Sequence, residues 1–148
     1  STLYTIGFTG KSAKDFFTII QNNNVKRLID VRLNNNSQLA GYTKKNDLTF
    51  FLKEICHIPY THLVEFAPTK EILNNYRKEQ ISWQTYEILY NKLLISRQKK
   101  IEQVVNIDSL DSACLLCSEK EATHCHRRLA AEFLQNLFSS KIEKIIHI

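Results

Sequence analysis

Two apolar spacings alternate along the chain. Leu3-Tyr4-Thr5-Ile6 is a short β-rich run ended by Gly7-Phe8-Thr9-Gly10, and Phe16, Phe17, Ile19 and Ile20 then recur at helical spacing. Ser12 with Asp15 forms a capping-box pair ahead of that helix. Val25 to Val31 reads as a second buried strand, so strand, helix and strand follow within about thirty residues, the length of a βαβ unit. Such a unit implies parallel pairing and a right-handed crossover. Leu48, Phe51, Leu52 and Ile55 predict a second helix capped by Asn46 or Asp47. Ile58 to Leu63 predicts a third strand, with Pro59 suited to its start. Glu65 to Glu79 reads as a loop with one short helix, where Tyr76 and Arg77 face a cleft. Ser82 caps the longest predicted helix, Trp83 to about Val105, with Trp83, Tyr86, Tyr90, Leu93 and Leu94 as its buried stripe. Ala113 to Cys117 predicts a fully buried strand. A last helix follows from about Cys125 to Ser139, with Thr123 as its cap and Leu129, Phe133, Leu134 and Leu137 on one face, and Lys144 to Ile148 is a closing strand. The sum is an α/β fold: a single three-layer domain over 1–148, with a mostly parallel sheet of about five strands flanked by helices. Strand order is not legible in this pattern.

Composition narrows the class. The chain has 148 residues, enough for one hydrophobic core, and its three glycines and two prolines argue for long regular elements over a turn-rich sandwich. No apolar run approaches the roughly 18 residues that cross a membrane, and no signal-peptide pattern opens the sequence. The expectation is a cytoplasmic chain with no membrane contact. A net charge of +5 leans toward anionic partners, a small molecule or a nucleic acid. Arg97, Lys99 and Lys100 read as a solvated helix face or as a nucleic-acid patch. The four cysteines, Cys56, Cys114, Cys117 and Cys125, belong to a chain too large to need a disulfide framework, so reduced thiols are expected. Cys56 and Cys114 read as small core hydrophobes.

Chemistry concentrates where strands end. In a parallel sheet the C-terminal strand ends share one edge, so Gly7, Asp30 with Arg32, and Cys117 with Glu119 are expected to converge there. Asp30 and Arg32 alternate with Val31 and so share a face, as a site or as a structural ion pair. Cys125 near a helix N-terminus, beside His126, Arg127 and Arg128, favours the thiolate. Nucleophile, structural thiol and metal ligand are all open for it, and for Cys117. A metal reading would use Cys117, Cys125, His124 or His126, with Glu119 as a further donor; these donors suit zinc, though their spacing matches no common zinc pattern. No other cofactor is implied. Glu119 is a surface residue, a general acid/base or an orienting partner for an arginine. Gly7 to Gly10, with Thr9, offers backbone amides to a phosphate, and Tyr42 and Tyr60 are candidate pocket walls.

Several of these motifs together resemble the family called domain of unknown function 488. The likeness rests on Ile6-Gly7-Phe8-Thr9, Asp30-Val31-Arg32, Ser37, Gly41-Tyr42, His57-Ile58-Pro59-Tyr60 and Leu63, then Leu115 to Glu119, Cys125-His126-Arg127 and His147-Ile148. It spans essentially the full chain. Two features depart from the family pattern: asparagine in the run Asn34-Asn35-Asn36 where a proline is usual, and Glu65-Phe66-Ala67-Pro68 where a glycine-rich segment is usual. The resemblance implies an α/β fold with these motifs on one side, and it leaves the activity open.

The leading functional expectation is an enzyme of hydrolase or lyase type acting on an anionic, nucleotide- or nucleic-acid-related substrate. Arg32 and Arg127 would hold phosphate or carboxylate groups, Asp30 or Glu119 would move protons, and Cys117 or Cys125 would assist or form a covalent bond. Tyr42 and Tyr60 would stack on a base. No dinucleotide fingerprint is present. The alternatives are a non-catalytic module binding nucleic acid or an anion, across a surface joining Lys11, Lys44, Lys45, Arg97 and Lys100, and a zinc-binding protein.

Overall fold

The computed structural model describes residues 1–36 and 40–148. Its strands are β1 (Thr2–Gly7), β2 (Arg27–Asp30), β3 (Tyr60–His62), β4 (Ala113–Cys117) and β5 (Lys144–His147). They form one sheet in the order β3-β2-β4-β1-β5, and every neighbouring pair is parallel. β4 lies at the centre and is buried along its whole length, which is why Ala113-Cys114-Leu115-Leu116-Cys117 carries no polar alternation.

The helices are α1 (Ala13–Asn22), α2 (Lys45–Phe51), α3 (Lys70–Arg77), α4 (Trp83–Ser96), α5 (Gln98–Val104) and α6 (His126–Leu137). Strand alternation sorts them into two layers. Ile6, Leu28, Cys114 and Leu116 pack against Phe16, Phe17 and Ile20 of α1 and Leu48 of α2. Leu3, Ile29, Leu115 and Cys117 pack on the opposite face against Tyr86, Tyr90 and Leu94 of α4 and Leu129 and Leu134 of α6. The expected three-layer α/β domain is the fold observed.

Local signals held where a hydroxyl could reach a free N–H. Ser12 accepts from the amide of Asp15, Thr69 from Ile72 and Ser82 from Thr85. Three expectations are corrected. α2 starts behind Lys44 with no side-chain cap, so Asn46 and Asp47 fall within its first turn. There Asp47 still complements the positive end of the helix. α6 starts behind Cys125, not Thr123, again without a side-chain cap. The long helix expected from Trp83 to Val105 breaks at Arg97, which separates α4 from α5. Its half-buried guanidinium donates to the carbonyls of Glu65 (2.9 Å) and Ala67 (2.7 Å), in and just after the turn Val64–Phe66 that precedes α3.

The connections place a site. From β1 the chain crosses one face through α1 towards β2; from β4 it crosses the other face through α6 towards β5. β1 and β4 are neighbours, so the paths diverge directly above their C-terminal ends. That divergence opens a crevice, the usual ligand position in open α/β sheets.

Candidate metal centre and cleft at the β1–β4 boundary

Gly7 and Cys117 are paired at the tips of β1 and β4. The ladder continues past them, with the amide of Phe8 donating to Cys117 O and that of Thr9 to Ser118 O. A Cβ on Gly7 would overlap the Glu119 carbonyl and sit 2.7 Å from Arg127 Nη1. Glycine is therefore required here by close backbone approach. Arg127 anchors the segment after β4: Nη1 donates to the carbonyl of Glu119, Nη2 to that of Lys120 (3.2 Å) and Nε to Thr5 Oγ1 (3.2 Å). It is 1% exposed and meets no carboxylate among the described residues. The remaining group beside it is Cys117 Sγ, 3.6 Å from Nη1.

β4 ends and α6 begins on the same face of the sheet, which brings Cys117 and Cys125 together. Their sulfurs form a disulfide, across Cα atoms 7.7 Å apart. This corrects the expectation of reduced thiols. Size removes the need for a stabilising crosslink but does not prevent the topology from opposing two cysteines. His126 completes the group: two sulfurs and an imidazole nitrogen lie within 4.8 Å of one another. His126 Nε2 donates to the carbonyl of Val31 (2.8 Å), since a carbonyl only accepts, and this leaves the Nδ1 lone pair for a ligand. Burial pushes the His126 pKa down to about 4, so the ring is neutral near pH 7. Cys114 and Cys56 are free; burial raises the thiol pKa of both, and only Cys114 is fully buried.

Asp30 and Arg32 form a buried pair at the tip of β2. Arg32 Nε lies 2.9 Å and Nη2 2.7 Å from the Asp30 carboxylate oxygens. The Arg32 amide also donates to Asp30 Oδ1, the Tyr60 hydroxyl donates to Oδ2 (2.6 Å), and Arg32 Nη2 donates to Thr43 O. Arg32 Nη1 is buried with no hydrogen-bond partner among the described residues.

A cleft of about 700 Å³ opens above these strand ends. Of the site residues expected from sequence, Thr9, Arg32, Cys117, Glu119, Cys125 and His126 line it, as do Tyr76 and Arg77. The others stand outside its lining. Asp30 is fully buried behind Arg32, and Gly7 and Arg127 support the cleft from below. Tyr60 is turned to Asp30. Tyr42 packs on Phe16 and Phe17, and its hydroxyl donates to Lys11 O (2.7 Å). Ser37 lies outside the described residues. Sequence reading missed Lys70 and Trp83 as lining residues; His124, offered there as an alternative donor to His126, lines the cleft, while His126 is the histidine grouped with the two sulfurs. Trp83 was assigned to the core by helical spacing, and its position at the first turn of α4 was the overlooked signal. A smaller cavity of about 210 Å³, between β2, β3 and the end of α5, holds no cluster of titratable side chains. No helix among the described residues is long and apolar enough to cross a membrane.

Fold and site together define a parallel α/β protein whose cleft at the β1–β4 boundary carries two cysteines, two histidines and a buried arginine. The chain belongs to the family described as Domain of unknown function DUF488, whose model matches residues 12–134. That span includes Asp30-Val31-Arg32 and Cys125-His126-Arg127. No curated protein and no solved structure matches the chain.

Proposed function

We propose that, with both thiols reduced, Cys117, Cys125 and His126 bind a divalent metal ion, zinc by donor type, and that the protein is a metal-dependent enzyme acting on an anionic substrate. The observation that carries this is the gathering of the three donors within 4.8 Å at the cleft floor. Two thiolates and an imidazole suit zinc, and three protein donors leave a coordination position for water or substrate, as in catalytic zinc sites. All three donors line the cleft, so that position faces the space where a substrate would enter.

Three further features support the reading. The Cα separation of 7.7 Å exceeds the roughly 4.4–6.8 Å that most disulfides bridge, whereas a shared ion adds two metal–sulfur bonds of about 2.3 Å each. Arg127 is a buried cation in no ion pair with a carboxylate among the described residues, and a Cys117 thiolate would set a negative charge beside its Nη1. The Nε2–H bond of His126 to Val31 O is the kind of outer contact that fixes the tautomer of a metal-bound histidine.

A bound ion of this kind activates water, so hydrolysis is the reaction class that we attach to the site, with Glu119 as the carboxylate placed in the cleft to handle a proton. The cysteines are then ligands instead of nucleophiles. A broad nucleic-acid surface has less support, because Arg97 and Lys11 donate to backbone carbonyls. The test is metal content after purification under reducing, chelator-free conditions. About one zinc per chain is expected, falling below about 0.2 in Cys117→Ser, Cys125→Ser and His126→Ala. A fully reduced, folded wild-type protein with no metal, and none taken up from added zinc or cobalt, would overturn the proposal.

A further inference from the structure

Beside the three donors, the cleft has a second set of groups with a different chemistry. Arg32, Lys70 and Arg77 bring three cationic side chains to its wall, against the single carboxylate of Glu119. Lys70 and Arg77 are exposed, stand at the two ends of α3, and form no ion pair with any described residue. Arg32 is 5% exposed, and its Nη1 is a buried donor without a hydrogen-bond partner among the described residues, with the Phe8 ring 5.4 Å from the guanidinium carbon. An unpaired buried donor of this kind is costly unless a ligand atom meets it. Asp30 holds the other edge of the guanidinium, so Arg32 is fixed in place before any ligand arrives.

A second part of the lining is aromatic and ordered. Tyr90 and Tyr86 are nearly parallel (12°), Tyr86 and Trp83 likewise (18°), and Trp83 and His124 follow (28°), with centroids 5.0–6.2 Å apart. This column of four rings runs from the fully buried Tyr90 to His124, which is exposed at the cleft. Its inner rings are fixed by the core, and Tyr90 is further held by donating to Phe66 O (2.6 Å). A planar ring entering the cleft would extend the column without having to order it first.

We infer that the cleft is a nucleoside monophosphate site, in which the phosphate is held by Arg32 Nη1 with Lys70 and Arg77 and the base stacks on the Trp83–His124 end of the aromatic column. The volume of about 700 Å³ falls within the usual range for small-molecule sites, about 300–1,000 Å³. Thr9 and Ser118 add hydroxyl groups to the lining. None of the residues that hold this ligand is itself a metal donor, and the inference supplies the substrate class that the proposed function leaves open.

Trp83 is the single tryptophan of the chain, so its fluorescence reports directly on the cleft. The experiment titrates the 148-residue protein with AMP, GMP, CMP and UMP, and separately with the four matching nucleosides and inorganic phosphate, by fluorescence and calorimetry. At least one nucleotide should quench Trp83 saturably, with a dissociation constant on the order of 100 µM or tighter. The matching nucleoside and phosphate should each bind at least about tenfold more weakly. Lys70→Ala/Arg77→Ala, which alters only exposed positions, should weaken the nucleotide at least about tenfold with its unfolding temperature unchanged, and His124→Ala should reduce the preference over inorganic phosphate. Arg32→Lys should weaken binding further if it folds. Absence of saturable binding by all four nucleotides, equal binding of the nucleoside, or undiminished binding in the double variant would each overturn the inference. Metal content measured on the same preparations separates this outcome from failure of the metal site.

Discussion

Gly7 is the position where one added carbon does most damage. Its Cα faces the Glu119 carbonyl so closely that a methyl group cannot be accommodated without moving the backbone after β4. That backbone is also what Arg127 grips. Gly7→Ala is therefore expected to cost about 3 kcal/mol or more, read as a lower midpoint in urea unfolding, with a loss below about 1 kcal/mol counting against it. Asp30 and Arg32 illustrate how far residue identity alone can be read. Their shared face follows from strand alternation, and their pairing was one of two readings open in the sequence. What the sequence could not supply was Tyr60, thirty residues away, as a further donor to Asp30, because that contact depends on β3 lying beside β2.

At the scale of elements, apolar periodicity located all five strands and the helices that flank them, since burial on a sheet face or a helix stripe is written locally. The break at Arg97 was not legible, because its cause is a pair of carbonyls at the turn before α3, some thirty residues earlier. A basic cluster on a continuous helix is the natural reading of Arg97, Lys99 and Lys100; only packing distinguishes the first from the others. The distinction is measurable. Arg97→Ala should destabilise by about 1–3 kcal/mol, as expected when hydrogen bonds from a charged group to otherwise unmet carbonyls are lost. Lys100→Ala, at an exposed position, should stay within about 0.5 kcal/mol. Equal effects in chemical denaturation would mean that Arg97 does not hold the turn.

At the scale of the whole molecule, the strand order decides which motifs meet. The convergence of Arg32, Cys117 and Glu119 on one edge was readable as soon as the sheet was parallel. Which strands are neighbours was not, and the β1–β4 adjacency is what sets Gly7 against Cys117 and opens the cleft there. Tyr42 and Tyr60 looked like pocket walls because they follow the right motifs, yet each sends its hydroxyl elsewhere. The tyrosine and tryptophan rings that do line the cleft, Tyr76, Trp83 and Tyr86, come from α3 and α4, which pack across the opposite face.

The link between Cys117 and Cys125, whether covalent or through an ion, turns residues 118–124 into a closed loop. That loop carries Glu119 and His124 into the cleft, so thiol chemistry and cleft shape are mechanically tied. Alkylating both cysteines after reduction should speed amide hydrogen exchange in 118–124 by about tenfold or more, on the order of 1.4 kcal/mol of local opening, and leave α1 unchanged. A cell that altered the state of those two sulfurs would in effect be adjusting the shape of a binding surface, with the rest of the sheet left as it was.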